Sequence, residues 1–409
     1  MSPSSLMPVE EAAKRVVAGL QPLSAEVVSL PRALGRVLAE DVTARRTQPP
    51  AALSAMDGWA VRAGDAASVP VQLRIMGAAP AGHRFPGIVG PGEAVRIFTG
   101  GILPQGADAV VIQEDTQTLG DHVEIREAAR PGRHVRLAGI DFRAGEAGLP
   151  AGRLLSARDI GLLAAMNVPW VSVRRRPRVA ILATGDELVR PGEATDPDQI
   201  VSSNSLAIAA IIEAHGAEAL DLGIAGDSEA ALVEAARRAS GADILVTIGG
   251  ASVGDHDLVR SALGKVGLDV DFWKIAMRPG KPLMFGRLGA LPVLGLPGNP
   301  VSAIVCTLLF LRPMLDCLTG LVAPPQPRAT ARLGTALGEN DRRQDYLRAR
   351  IEPDAQGRAI AFPARSQDSS LVSVLADADC LVVRPPHAPA AAVGDEVDII
   401  PLGLGQVGV

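Results

Sequence analysis

Residues 243–257 read DILVTIGGASVGDHD, a short β-branched run from Ile244 to Ile248 broken at once by Gly249 and Gly250. Such a run ending on paired glycines marks a buried parallel strand that delivers a backbone turn to a crevice. In open α/β sheets that crevice lies at the carboxyl ends of the strands and is where ligands bind. Glycines there supply unusual backbone angles and unobstructed N–H groups, and Asp255 and Asp257 add carboxylates.

Two turns further along repeat the design with different chemistry. FWKIAMRPGKP, residues 272–282, sets Lys274, Arg278 and Lys281 close together on a turn shaped by Pro279 and Gly280, a grip for an anion. LPVLGLPGNPVSA, residues 291–303, ends a strand at Leu296 and begins a helix after Pro297 and Gly298, with Asn299 at the N-cap and Pro300 at N1. The N–H groups of that first helical turn point at whatever the loop holds. Upstream, ATGDELV, residues 183–189, follows a strand at Val179 to Ala183 and sets Asp186 and Glu187 beside the Gly249 turn, where paired carboxylates bind a hard cation. Asp227, at the start of another helix, reads equally well as an N-cap or as part of this acidic set. Read singly, each turn is a surface turn with solvated charges. Together on one sheet they suit a phosphorylated ligand bridged by a metal ion.

With 409 residues the chain exceeds one hydrophobic core, and length alone suggests roughly two to four domains. Aromatic residues make up 3%, too few for base-stacking platforms, and the net charge of −5 repels nucleic acid in bulk, so an anion must be caught by a local cluster. Cys306, Cys317 and Cys380 show no metal-ligand spacing and read as free thiols of a reducing compartment. Residues 1–15 contain no basic segment followed by an apolar one, and the longest apolar run, Ala303 to Leu311, is about half a membrane span. A cytoplasmic protein without membrane or nucleic-acid partners is expected.

The organisation predicted is α/β and multidomain. Residues 8–19 form a helix with Glu10 and Glu11 in its first turn, RALGRVLAEDV at 32–42 shows helical spacing before it runs into a strand-like stretch, and Ser156 to Val168 is a helix opened by a capping box of Ser156 and Asp159. These belong to a discontinuous, helical or mixed N-terminal domain, residues 1–47 plus 149–176, interrupted by a β-rich insert at 48–148 with runs such as AVRIF and DAVVIQ. RRRPR at 174–178 reads as a solvated linker. From 177 to 325 strands and helices alternate, which implies a doubly wound, mostly parallel sheet, and residues 326–409 alternate as a small β-barrel or sandwich.

Residues 249–254 also fit two familiar patterns. The GxxxxG spacing of a phosphate loop is met, but Asp255 and His256 stand where lysine and serine or threonine are needed. GxSxG around Ser252 matches a nucleophile elbow, and a serine hydrolase is the competing enzyme reading. Its later histidine would be His387, in the β-rich tail, and labelling at Ser252 by a serine-directed probe separates the two readings.

Taken in order, ALGRVLAEDV, SAMDGWAV, TGG with PQGADAVV, ATGDELV, GGASVGDHD, FWKIAMRPGKP and LPGNPVSA resemble the molybdopterin molybdenumtransferase family of the bacterial MoeA type, similar to the C-terminal domain of gephyrin. The resemblance covers nearly the whole chain. It implies a four-part subunit ending in a small C-terminal β-barrel and forming a homodimer, with the cleft between the α/β domain of one copy and the insert of the other. The implied reaction inserts molybdate into the dithiolene of adenylylated molybdopterin with magnesium, releases AMP and yields molybdenum cofactor, with transient contacts to the adenylyltransferase and to acceptor molybdoenzymes or their chaperones.

On the matching motifs, Asp57, Thr99 and Asp141 contribute from the insert, and Asp186, Glu187, Asp227 and Asp257 form the acidic set, with Glu187, Asp227 and Asp257 on the metal. Lys274, Arg278 and Lys281 grip anions, and Gly249, Gly250, Ser252, Gly254, Pro297, Gly298, Asn299 and Ser369 cradle the pterin phosphate. Ile140, Gly226, Arg278 and Asp368 depart from the family's usual letters. The adenylyltransferase step itself and a gephyrin-like binding scaffold are the alternatives within this resemblance.

Overall fold

The computed structural model describes residues 6–250, 258–321 and 329–403. Its centre is a six-stranded sheet in the order Glu218–Ala225, Arg178–Thr184, Ile244–Ile248, Leu291–Leu296, Met284–Leu288, Leu268–Phe272. The first four strands run parallel, as alternation with helices requires, and Met284–Leu288 runs antiparallel to both of its neighbours. The switch has a local cause. Gly289, at a φ of 61°, opens the two-residue connection that folds Met284–Leu288 back on Leu291–Leu296 as a hairpin. Every residue of Ile244–Ile248 is buried, because helices cover both faces of the sheet.

The helix Val9–Val17 begins after Pro8 with Glu10 and Glu11 in its first turn. It buries Val9, Ala12 and Val16 in the core of this sheet, so by packing the first helix joins a different core from the residues that follow it. The ribbon Ala25–Ser29 with Trp170–Arg174 and the helix Ala157–Ala165 enclose a separate core. Residues 33–42 do not form the helix their spacing predicts. Only a 3-10 turn, Leu30–Arg32, appears, because Gly35 adopts a φ of 71° and sends the chain on in extended form. Ala33, Val37 and Leu38 are nonetheless buried, which is what the apolar spacing recorded.

In the insert, six strands order as Ala109–Ile112, Gly58–Val61, Glu93–Ile97, Val71–Ala79, His122–Ile125, Thr116–Leu119, with apolar clusters on both faces. After residue 328, Ala329–Leu333, Gln344–Pro353, Ala359–Pro363, Cys380–Arg384 and Glu396–Pro401 close into a five-stranded barrel, since Gln344–Pro353 pairs with both Ala359–Pro363 and Cys380–Arg384. The short strand Met277–Arg278 pairs with its edge and ties the barrel to the α/β unit.

Two other expectations change. RRRPR is not a solvated linker: Arg175 grips Asp243 with two hydrogen bonds of 2.7 and 2.8 Å, and the Arg178 N–H donates to the same carboxylate. The apolar run from Ala303 is part of a longer helical segment, Pro300–Leu318, long and apolar enough to cross a membrane by composition. Two thirds of its most apolar window is buried inside the protein, among Val301, Phe310 and Met314, so it is a core helix. A wide turn at Thr307–Leu311, where the Thr307 hydroxyl donates to the Ala303 carbonyl at 2.8 Å, carries it across its middle.

The capping box is formed as its letters predict. The Asp159 carboxylate accepts from the Ser156 N–H at 2.9 Å, and the Ser156 hydroxyl accepts from the Asp159 N–H at 3.4 Å. Ser156→Ala should therefore lower stability by about 1 kcal/mol in urea unfolding while leaving turnover unchanged.

Candidate active site

The carboxyl ends of three parallel strands are in mutual contact, and glycine makes that contact possible. Gly249, at a φ of 89°, lies so close to the strand Arg178–Thr184 that a Cβ would stand 2.7 Å from the Thr184 carbonyl oxygen. On its other side the Gly249 N–H donates to Leu296 O at 3.1 Å, and a Cβ on Gly298 would meet the Gly249 Cα at 3.7 Å. Gly250 is as tightly placed, against Val259 and the Thr184 hydroxyl. That hydroxyl donates to Ile248 O at 3.3 Å and staples the first turn to the second.

These turns floor a cleft of about 1470 Å³. Glu187, Asp227, Gly249, Gly250, Lys281, Arg278, Pro297, Gly298, Asn299 and Ser369 all line it. The acidic wall is built by backbone approach. The carboxylate of Glu187 lies over Gly185, whose φ of 144° and missing side chain leave room for it. Asp186 accepts from the Asp227 N–H at 2.9 Å, which brings the two acidic turns together, and Ser228 rather than Asp227 caps the following helix through Ala231 N. The Asp227 carboxylate is thereby left at the cleft rim.

On the opposite wall the amide of Asn299 does not cap its own helix but donates to the Ser369 hydroxyl at 2.8 Å, while the Ser369 carbonyl accepts from the Val301 N–H at 3.1 Å. The barrel thus supplies the cap from a distant part of the chain. Its supporting turn is held by Asp368, which accepts from the Ser370 N–H at 2.9 Å, and by the buried Arg348, which donates to the Asp368 carbonyl at 2.9 Å. Arg348 escaped the sequence reading. It lies in the β-rich tail with no motif around it, and only the closed barrel brings it under this wall, where its N–H donates to Gln367 of SQDSS, residues 366–370, at 3.0 Å.

The three cations part company. Lys281 lines the cleft. Arg278 lines it too, but its guanidinium is paired with the buried Asp345, Nε donating to Oδ1 at 2.9 Å, and that pairing raises its pKa. The neighbouring Asp341 is held down at a pKa of about 2, chiefly by Arg343, another cleft residue. Lys274 does not line the cleft and rests its ammonium 4.5 Å from the centre of the Trp273 ring.

In the insert, Asp57 and Thr99 meet although 42 residues separate them. Asp57 accepts from the Thr99 N–H at 2.7 Å and from its hydroxyl at 2.8 Å, and these bonds keep its carboxyl below the usual carboxylate range. Asp141 is exposed elsewhere on the insert, its N–H bonded to Gln48 O at 3.1 Å. None of these three lines the cleft of the same chain. Ser252, Gly254, Asp255, His256 and Asp257 lie outside the described residues.

Comparison with known proteins follows these parts. Residues 7–167 match the MoeA N-terminal region, domains I and II; residues 180–316 a probable molybdopterin binding domain; and residues 330–402 the MoeA C-terminal region, domain IV. A molybdopterin molybdenumtransferase of Haemophilus influenzae is 35% identical over 93% of this chain and 94% of its own length. The chain belongs to the MoeA family of molybdopterin molybdenumtransferases. It is a transferase of molybdenum cofactor biosynthesis, as its relatives are. The Nostoc relative is 40% identical over 79% of this chain and 76% of its own length. A solved MoeA structure from Pyrococcus horikoshii superposes with a TM-score of 0.85 at 32% identity, covering 98% of this MoeA-family chain and 100% of that one.

The contact of strand ends is directly testable. Gly249→Ala adds a side chain at a strained φ against a backbone carbonyl, so it should cut turnover by on the order of tenfold or more and lower the thermal midpoint.

Proposed function

We propose that this chain inserts molybdate into the dithiolene of adenylylated molybdopterin in a magnesium-dependent reaction that releases AMP. The observation that carries the reading is the convergence of Glu187, Asp227, Gly249, Lys281 and Asn299 on one cleft. Phosphate binds where backbone N–H groups and a cation face it, and Gly250, Gly298 and Asn299 with Lys281 line the cleft with that combination. Lys274 and Arg278 stand on the same loop as Lys281 and serve the oxyanion from its flank, Arg278 through a guanidinium oriented by Asp345.

Magnesium fits the donors present. Among the described residues no three His, Cys, Asp or Glu side chains form a metal-binding group, but Glu187 and Asp227 offer two carboxylates. Magnesium is commonly held by one or two carboxylates together with substrate phosphates rather than by an all-protein cage. When bound, it would offset the pyrophosphate charge and make the adenylate a better leaving group. The chain's own residues hold the reactants: Asp186 fixes the Asp227 turn, and Asn299 with Ser369 fixes the helix start beneath the pterin phosphate.

A homodimer completes the site in this reading. Beside Asp57 and Thr99 in the chain, Met56 and Phe98 are exposed, and the insert also exposes Leu137 and Ile140, the last 66% accessible. The cleft lining exposes Ile200 and Val201, with Ile200 60% accessible. Apolar surface around both half-sites supports packing of one copy's insert over the other copy's cleft. The enzyme acts in the cytoplasm, receives substrate from the adenylyltransferase and passes product to acceptor molybdoenzymes or their chaperones.

Two measurements test this. Glu187→Gln and Asp227→Asn should each raise the magnesium concentration needed for half-maximal AMP release by on the order of tenfold. At limiting magnesium, where Asp57→Asn and Asp227→Asn homodimers each turn over little, refolding an equal mixture of the two chains should restore about a quarter of wild-type activity, because half the dimers then carry one intact composite site of two; no recovery would place both residues in a site made by one chain.

A further inference from the structure

We infer that Arg96 is the positioning residue for Asp57, fixing the backbone that follows this carboxylate at the carbonyls of Asp57 and Gly58. The inference rests on the reading that Asp57 takes part in the reaction.

Arg96 lies on the strand Glu93–Ile97, which runs antiparallel to Gly58–Val61 with Trp59 opposite Arg96 and Gly58 opposite Ile97. Directly opposed residues share a face of the sheet, so the guanidinium lies over the Trp59 ring, 5.6 Å from its centre. Phe98 closes on the same guanidinium at 5.1 Å. Held against two rings, Arg96 has its fork bonded to the Asp57 loop. Nη1 donates to Gly58 O at 3.2 Å, and Nη2 donates to the Gln113 side-chain oxygen at 2.6 Å. The N–H of Gln113 donates in turn to Asp57 O at 3.1 Å.

The carbonyls of Asp57 and of the next residue are therefore both tied, one through Gln113 and one directly, to a single guanidinium. Phe98 joins Arg96's strand to Thr99, the donor of both hydrogen bonds to the Asp57 carboxylate. Arg96 thus holds the aspartate, and an aromatic anchor next to the threonine that orients it. Its positive charge also adds to those bonds in keeping the Asp57 carboxyl ionised. Lysine cannot do this, having neither the planar fork nor two fixed donor directions.

The test is a double-mutant cycle on the full-length protein, following single-turnover AMP release from adenylylated molybdopterin with molybdate and magnesium. Arg96→Gln should slow release about tenfold in the wild-type background and less than about twofold in the Asp57→Asn background. Arg96→Lys should recover little of the loss. A role in fold stability alone would slow both backgrounds by the same factor, and that result, or no slowing in the wild-type background, overturns the inference. Should Arg96→Gln fail to fold, Gln113→Leu cuts the same link and should show the same dependence on Asp57. Normal turnover in Asp57→Asn would instead remove the role of Asp57, and both readings with it.

Discussion

The structure depends on how closely three strand ends approach one another. Gly249 lies against the Thr184 carbonyl on one side and against Leu296 and Gly298 on the other, with no space for a methyl group toward Thr184. A side chain there would force apart the turns carrying Glu187, Gly250 and Asn299, and the cleft would lose its floor. Packed interiors transmit such displacements rather than absorb them, so a steric demand at one glycine fixes the positions of charged groups on three loops. Chemistry follows from that. Carboxylates, amides and a lysine share a cleft because the backbone beneath them has a single way to close.

Around this centre the molecule recruits supports from far away in sequence. The barrel caps the helix at Val301 through Ser369, pairs Asp345 with Arg278 and buries Arg348 beneath the Gln367–Ser370 turn. A buried guanidinium is costly to desolvate, and burial lowers the pKa of Arg348. Keeping one beneath a wall of the cleft gives that wall a rigid base. The C-terminal domain is therefore part of the site's construction. Asp368 illustrates it: it holds its turn with its own carboxylate on Ser370.

The insert repeats the logic on a smaller scale. Asp57 is exposed and owes its orientation to Thr99, Gln113 and Arg96, contributed by neighbouring strands and turns of one sheet. It does not line the cleft of its own chain, and the composite site proposed above joins the insert's SAMDGWA turn to the ATGDELV turn of the α/β unit.

Local patterns set much of this on their own. The buried strand Ile244–Ile248, the Ser156–Asp159 capping box and the glycine turns at strand ends were legible in the letters, because period, capping and backbone freedom act over a few residues. The ordered motifs likewise carried the family. Where the letters misled, Gly35 turned a helical spacing into extended chain and Asp243 pinned a run of arginines; where they held, as for Asn299 at its N-cap position, they did not name the distant partners, Ser369 for Asn299 and Asp345 for Arg278. Only the tertiary structure decided those, since a side chain's role depends on which charge or amide reaches it first. That contact is set by packing of elements that sequence spacing does not order.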